Sequence, residues 1–175
     1  AITERLCVWD YSTNFQYFLA PFPNFETMRT NMALYAESKV DGIYSQGNSM
    51  SESGEFGELR TYLLGKLLWE PTMSRERYYA YMDEFLQAYY GEGWRYIRTY
   101  IDKMCERTRS SHLEANCNPT AAWAPEHFAD GSTDMSFLEE MKALWVEAAA
   151  HSSEQYQANI ERSSIQVSFS DIWIS

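Results

Sequence analysis

Clear strand signals fall in two short stretches near the start of the chain, and this limits what it can fold into more than any other feature. Leu6 to Tyr11 is apolar and bounded by polar turn formers, and "GIYSQG", Gly42 to Gly47, has the same character. Between them Asn24 is placed to cap a helix. Phe25, Met28, Met32, Tyr35 and Ala36 recur there at helical spacing, ending near Lys39 with Asp41 and Gly42 as the turn. The polar, glycine-bearing segment Asn48 to Gly57 reads as a loop. A second helix then carries Leu59, Tyr62, Leu63, Lys66, Leu67 and Trp69 to a stop before Pro71. The order is strand, helix, strand, helix, and the strands are far enough apart for a right-handed parallel crossover.

Beyond Pro71 the pattern is helical. Ser74 is placed to cap a helix in which Tyr78, Tyr81, Met82, Phe85, Leu86 and Tyr89 form a broad apolar stripe, ended by Gly91. Trp94, Ile97, Ile101 and Met104 make the next stripe, which decays into the polar "CERTRSS". Ala115 to Thr133 contains Pro119, Pro125 and Gly131 and reads mainly as loop, with a short turn around Glu126 to Phe128. Asp134 or Ser136 caps a further helix with Phe137, Met141, Leu144, Trp145 and Ala148 on one face. A last helix runs from Ser153 into the 160s. The final stretch "SIQVSFSDIWIS" alternates apolar and polar residues and could be read as a strand.

The expected fold is mainly α with a small parallel β component: a βαβα part over residues 1–71 and a helical domain over residues 72–175. Two strands alone leave both faces and both edges of a parallel sheet without cover. Either further strands lie elsewhere in a longer protein, or the helices wrap a small two-stranded core. A start at Ala1, without Met and almost directly on a strand, favours the first, a carboxy-terminal piece of something larger.

Composition narrows the partners. With 45% hydrophobic and 22% charged residues, the 175-residue chain has the make-up of a globular protein. A formal net charge of -11 argues against nucleic acid, whose phosphates need clustered Lys and Arg. No apolar run approaches a membrane span. Cys7, Cys105 and Cys117 form neither a disulfide framework nor a CxxC pair. Cys105 and Cys117 flank a polar segment and could pair in an oxidising compartment; three reduced thiols are the default.

The combination "VWDYSTNF", "PFPNF", "VDGIYSQG", "LRTYLLGKLLWEP" and "FLQAYYG" resembles an uncharacterised bacterial family of glycoside-hydrolase-like proteins, a domain of unknown function. Its barrels are similar to those of α-glucuronidases and family-twenty hexosaminidases. The resemblance covers most of the chain from about Arg5 to Trp94. It implies that the two strands are the last of a (β/α)8 (TIM) barrel, the last βαβα unit, followed by an all-helical region. The partners it implies are a glycan or small carbohydrate and the remaining barrel of the same protein, in an extracellular or periplasmic setting. In related glycosidases the catalytic carboxylates sit on earlier strands, so catalysis by this chain alone is not expected.

In such a barrel, ligand contacts come from the C-terminal ends of strands and the loops that follow. This selects Trp9, Asp10, Tyr11 and Asn14 on one loop, and Tyr44, Gln46 and Asn48 on the other. Strand alternation turns Leu6 and Val8 to the helices and Cys7, Trp9 and Tyr11 inward, with Tyr44 and Gln46 sharing a face. Sugars suit such a wall, because their C–H faces pack on aromatic rings while amides and carboxylates bond their hydroxyls. Trp9 and Tyr11 would otherwise simply fill the barrel. Phe15, Tyr17, Phe18, Phe22 and Phe25 are read as packing the loop onto the helical part.

Glycosidases need two carboxyl groups about 5–10 Å apart, and Asp10, Glu52 and Glu55 are the candidates near the strand ends. Asp10 faces outward by alternation, and Glu52 and Glu55 fall in a loop expected to be solvated. Cys105, His112, Cys117 and His127 are zinc-ligand types without a compact spacing, so no metal is expected. "GEG", Gly91 to Gly93, joins two helices rather than a strand and a helix, which does not suit a phosphate cradle. His151 has no nucleophile pattern beside it, and no cofactor is expected. The alternative to a carbohydrate-active role is a non-catalytic carbohydrate- or protein-binding helical module, docking a partner through the aromatic loop and the helical stripes.

Overall fold

The computed structural model describes residues 5–48, 54–123 and 134–174. Strand β1 (Cys7–Tyr11) and strand β2 (Gly42–Gln46) are joined by helix α1 (Phe25–Glu37). They pair in parallel, with Trp9 opposite Tyr44 and Tyr11 opposite Gln46. Then come α2 (Gly57–Trp69), α3 (Arg75–Tyr90), a 3-10 turn at Gly91–Gly93, α4 (Trp94–Arg107), α5 (Met135–His151) and α6 (Glu154–Ile174). The protein is mainly helical with one small parallel sheet, as expected.

Local chemistry explains most boundaries. Ser74 accepts a hydrogen bond from the Arg77 amide (3.2 Å) and starts α3, and Asp134 accepts one from the Phe137 amide (3.2 Å) and starts α5. Gly91 ends α3 with φ of +66°, a backbone conformation that a Cβ disfavours. Asn24 flanks the start of α1 but makes no side-chain cap. Its side-chain Oδ1 instead accepts from the Arg60 guanidinium.

The end of the chain differs from the strand reading. α6 continues through "SIQVSFSDIWI" to Ile174. Its buried positions are Ile160, Ser163, Gln166, Val167 and Ser170, a helical period carried largely by polar side chains. These groups are satisfied locally: Ser163 bonds the Tyr90 hydroxyl (2.7 Å), Gln166 accepts from Tyr100 (3.0 Å), and Ser170 donates to the Gln166 carbonyl (2.8 Å). An apolar pattern search does not see a stripe of this kind, so Ile165, Val167 and Phe169 stood out as an alternation.

One apolar core runs through the molecule. Phe25, Met28, Met32, Leu59, Leu63 and Leu67 from the first part join Tyr78, Met82, Leu86, Ile97, Ile101, Leu138, Met141 and Trp145 from the second. The core does not divide at Pro71. The apolar stripes of α3 and α4 are spent inside it rather than left for a partner. The helix ends meet closely: a Cβ on Gly93 would lie 2.2 Å from the Ala148 carbonyl oxygen, whose helix cannot yield without moving α5. Gly93→Ala is therefore expected to destabilise by about 1–3 kcal/mol in urea unfolding. Gly65→Ala, in mid-helix with open space around it, is expected to stabilise by about 0.5–1 kcal/mol. Equal effects at the two sites would contradict this packing.

Candidate binding site

The sheet has two different faces. On β1, Val8 and Asp10 are half-buried while Cys7, Trp9 and Tyr11 are exposed. Asp10 points to the helix side, where Tyr35 of α1 donates to its carboxylate at 3.4 Å, and Ile43 packs there against the core. Trp9, Tyr11 and Tyr44 stand on the opposite side, 63%, 42% and 60% exposed. Trp9 meets Tyr44 edge-on at 5.2 Å and stacks beside Tyr11 at 6.5 Å between ring centroids. The Trp9 indole N–H donates to Gln46 Oε1 at 2.8 Å, which fixes both side chains at the strand ends. The alternation read from the sequence thus brings Trp9, Tyr11, Tyr44 and Gln46 together on one open face.

Asn14 is elsewhere. It is wholly buried, its amide donating to the Cys117 carbonyl (2.9 Å) while its oxygen accepts from the amides of Gln16 (3.1 Å) and Tyr17 (3.0 Å). Its polar groups serve the turn after β1 and tie it to the segment after α4. The Phe15 amide donates to the Ala115 carbonyl in the same junction. Tyr17 packs against Phe169 and Trp173 of α6, at 6.5 and 5.6 Å. The aromatic loop therefore docks on the helical part, as its composition led us to expect.

Two clefts flank the strand ends. The larger, about 810 Å³, takes in Trp9, Asp10 and Tyr11 from β1 and is walled by α1, the start of α3 and the segment around Thr108 to Ala115. The other, about 790 Å³, includes Ser45 and Asn48, with Glu58 and Thr61 of α2. Around the larger cleft, the Glu26 carboxylate is held by Arg29 (2.6 Å) and Arg75 (3.6 Å). Tyr79 lies with Arg75 over its ring at 4.8 Å, and burial together with the neighbouring Glu26 pushes its hydroxyl up to about 12. Arg109 pairs with Glu106.

The carboxylates singled out from the sequence do not share the aromatic face. Asp10 is turned to α1. Glu55, expected in a solvated loop, is instead buried in an ion pair with Arg60, whose guanidinium also bonds the Phe22 carbonyl and Asn24. Arg60 is the structural residue that the sequence reading passed over. It lies on the inward side of α2, between Leu59 and Leu63, and a charge on an apolar stripe was the available signal. Glu52 and His127 lie outside the described residues. The cysteines Cys7, Cys105 and Cys117 are free, with the Cys105 thiol pushed up to about 12 by burial. Among the described residues, no three metal-ligating side chains are gathered, and no helix is long and apolar enough to cross a membrane.

With the geometry in place, comparison with known proteins gives the family. The model of "Domain of unknown function (DUF4838)" matches residues 1–102, and the chain belongs to this family. The match spans the sheet, α1, α2, α3 and most of α4. No curated protein and no solved structure matches the chain.

Two outcomes follow from the charges. Removing one member of a buried ion pair strands the other, so Arg60→Leu is expected to cost about 3–5 kcal/mol in urea unfolding. The double substitution Glu55→Leu with Arg60→Leu should cost clearly less than the sum of the two singles; additive losses would mean the pair is uncoupled. Burial raises the Asp10 carboxyl above its ordinary value, so ionisation burdens the folded state more than the unfolded chain. The stabilisation it gives is present below the unfolded carboxylate range and is lost as pH rises through the raised folded pKa. Asp10→Asn is therefore expected to raise Tm at neutral pH, with the gain fading as the buffer is made acid. A gain that is independent of pH would place its cause elsewhere.

Proposed function

We propose that the chain supplies a substrate-binding wall and scaffold to a carbohydrate-active, glycoside-hydrolase-like protein. In this reading β1 and β2 belong to a (β/α)8 barrel whose remaining strands carry the catalytic carboxylates, and the protein works outside the cell or in the periplasm. The observation that carries the proposal is the open aromatic face: Trp9, Tyr11 and Tyr44 exposed together at the strand ends, with the Gln46 amide held against Trp9. Parallel sheets are ordinarily covered on both sides. A bare side made of aromatic rings and a fixed amide is suited to a barrel interior that meets sugar.

The partner-docking alternative draws less support. The helical stripes it relied on are buried in the core or packed against it, and Tyr17 is engaged by α6; the large apolar side chains left exposed on helices, Trp69 foremost, lie outside those stripes. The test is calorimetric titration of the purified chain with cello- and xylo-oligosaccharides. Binding is expected, and Trp9→Ala should weaken it by roughly tenfold, about 1.4 kcal/mol, for the loss of a stacking ring. Absence of binding by the unaltered chain, or binding indifferent to Trp9, would overturn the proposal.

A further inference from the structure

The larger cleft joins the strand ends to the helical part, and its polar groups are unevenly employed. Its arginines and carboxylates already have partners: Glu26 with Arg29 and Arg75, Arg109 with Glu106, and Asp10 with the Tyr35 hydroxyl; His112 lines it as well, and Glu26 Oε2 is buried without a hydrogen bond. A charged ligand would have to break one of these pairs. Two of the remaining lining groups are suited to a neutral partner. Asn31, half-buried on the exposed flank of α1, makes no side-chain hydrogen bond among the described residues, and Ser111 Oγ is buried without a partner. Buried polar groups without partners are uncommon and ask for an explanation. Trp9 and Tyr11 also line this cleft.

We propose that this cleft of about 810 Å³ binds a neutral, hydroxyl-rich ligand, with the helical part as its second wall. This rests on the carbohydrate reading above and deepens it. The ring of the ligand packs at Trp9 and Tyr11, and its hydroxyls are met by Asn31 from α1 and by Ser111 from the segment after α4. The amide can donate and accept at once, and the serine hydroxyl can do either, so both suit a polyol. A carboxylated sugar finds no unpaired Arg among these groups, which sets the preference for the neutral ligand. The volume is within the range of small-molecule sites.

The test uses the full chain and ligand-observed NMR titrations with D-glucose, D-xylose, cellobiose and D-glucuronate. The expected result is binding of a neutral sugar at least tenfold tighter than D-glucuronate. Asn31→Ala and Ser111→Ala should each weaken that binding by about three- to tenfold, and Trp69→Ala, at the exposed end of α2 and outside the cleft, by less than twofold. Ala is the better helix former at position 31, and thermal melts check that both variants fold. If Trp9→Ala and Tyr44→Ala abolish binding while Asn31→Ala and Ser111→Ala leave it unchanged, the ligand lies on the open sheet face. The cleft proposal then fails and the carbohydrate reading stands. Preference for D-glucuronate also overturns the cleft assignment. No binding of any sugar overturns both.

Discussion

The buried guanidinium of Arg60 is the constraint on which the rest of the architecture depends. A charge cannot be left in a core without compensation, so every group around it is fixed in kind and position. Glu55 neutralises it, the Phe22 carbonyl and Asn24 take its remaining donors, and the Phe25 ring lies 4.5 Å beneath it. Those partners come from the loop after β1, the first turn of α1 and the turn into α2. One side chain thereby sets the start of α1 relative to α2. Since the loop that Arg60 grips begins at the end of β1, it also helps set where the strand ends face.

That arrangement accounts for the mixed character of the stretch from Val8 to Phe25. Its aromatic residues have three different fates. Trp9 and Tyr11 stay exposed on the open face, Tyr17 reaches across to α6, and Phe22 and Phe25 enter the core. Its polar residues divide in the same way: Asp10 turns to α1, Ser12, Thr13 and Asn14 are buried in the turn, and Gln16 remains outside. A segment that must serve a site, a junction and a core within eighteen positions cannot have a uniform composition.

Much of this was legible in the sequence because it rests on local rules. The two strands, the helix caps at Ser74 and Asp134 and the stop at Gly91 follow from short-range chemistry, and strand alternation placed Trp9, Tyr11, Tyr44 and Gln46 on one face. What escaped depends on distant partners. Asn14 resembled a ligand group because its tie to Cys117 spans 103 positions. Glu55 resembled a loop residue because its partner Arg60 is buried by residues from α1. The stripe of α6 was hidden for a related reason: Ser163, Gln166 and Ser170 are inward-facing because Tyr90, Tyr100 and a backbone carbonyl satisfy them.

The same long-range ties bear on how the helical part relates to the site. The segment after α4 bonds the turn after β1 through Asn14 and Phe15, and α6 holds Tyr17 through Phe169 and Trp173. The turn that follows the candidate ligand-facing residues is therefore anchored by elements more than a hundred positions away. A loop docked at both of its flanks loses less freedom when a ligand arrives, and the entropy of ordering it has been spent during folding instead. In the proposed carbohydrate reading this gives the helices a direct part in recognition: they hold the strand-end turn in place and form the far wall of the cleft. The family match ends at residue 102, inside α4, whereas the ties that shape this turn come from residues after it. The cleft is lined from both sides of that boundary, by β1, α1 and the start of α3 before it and by Cys105 and the segment around Thr108 to Ala115 after it.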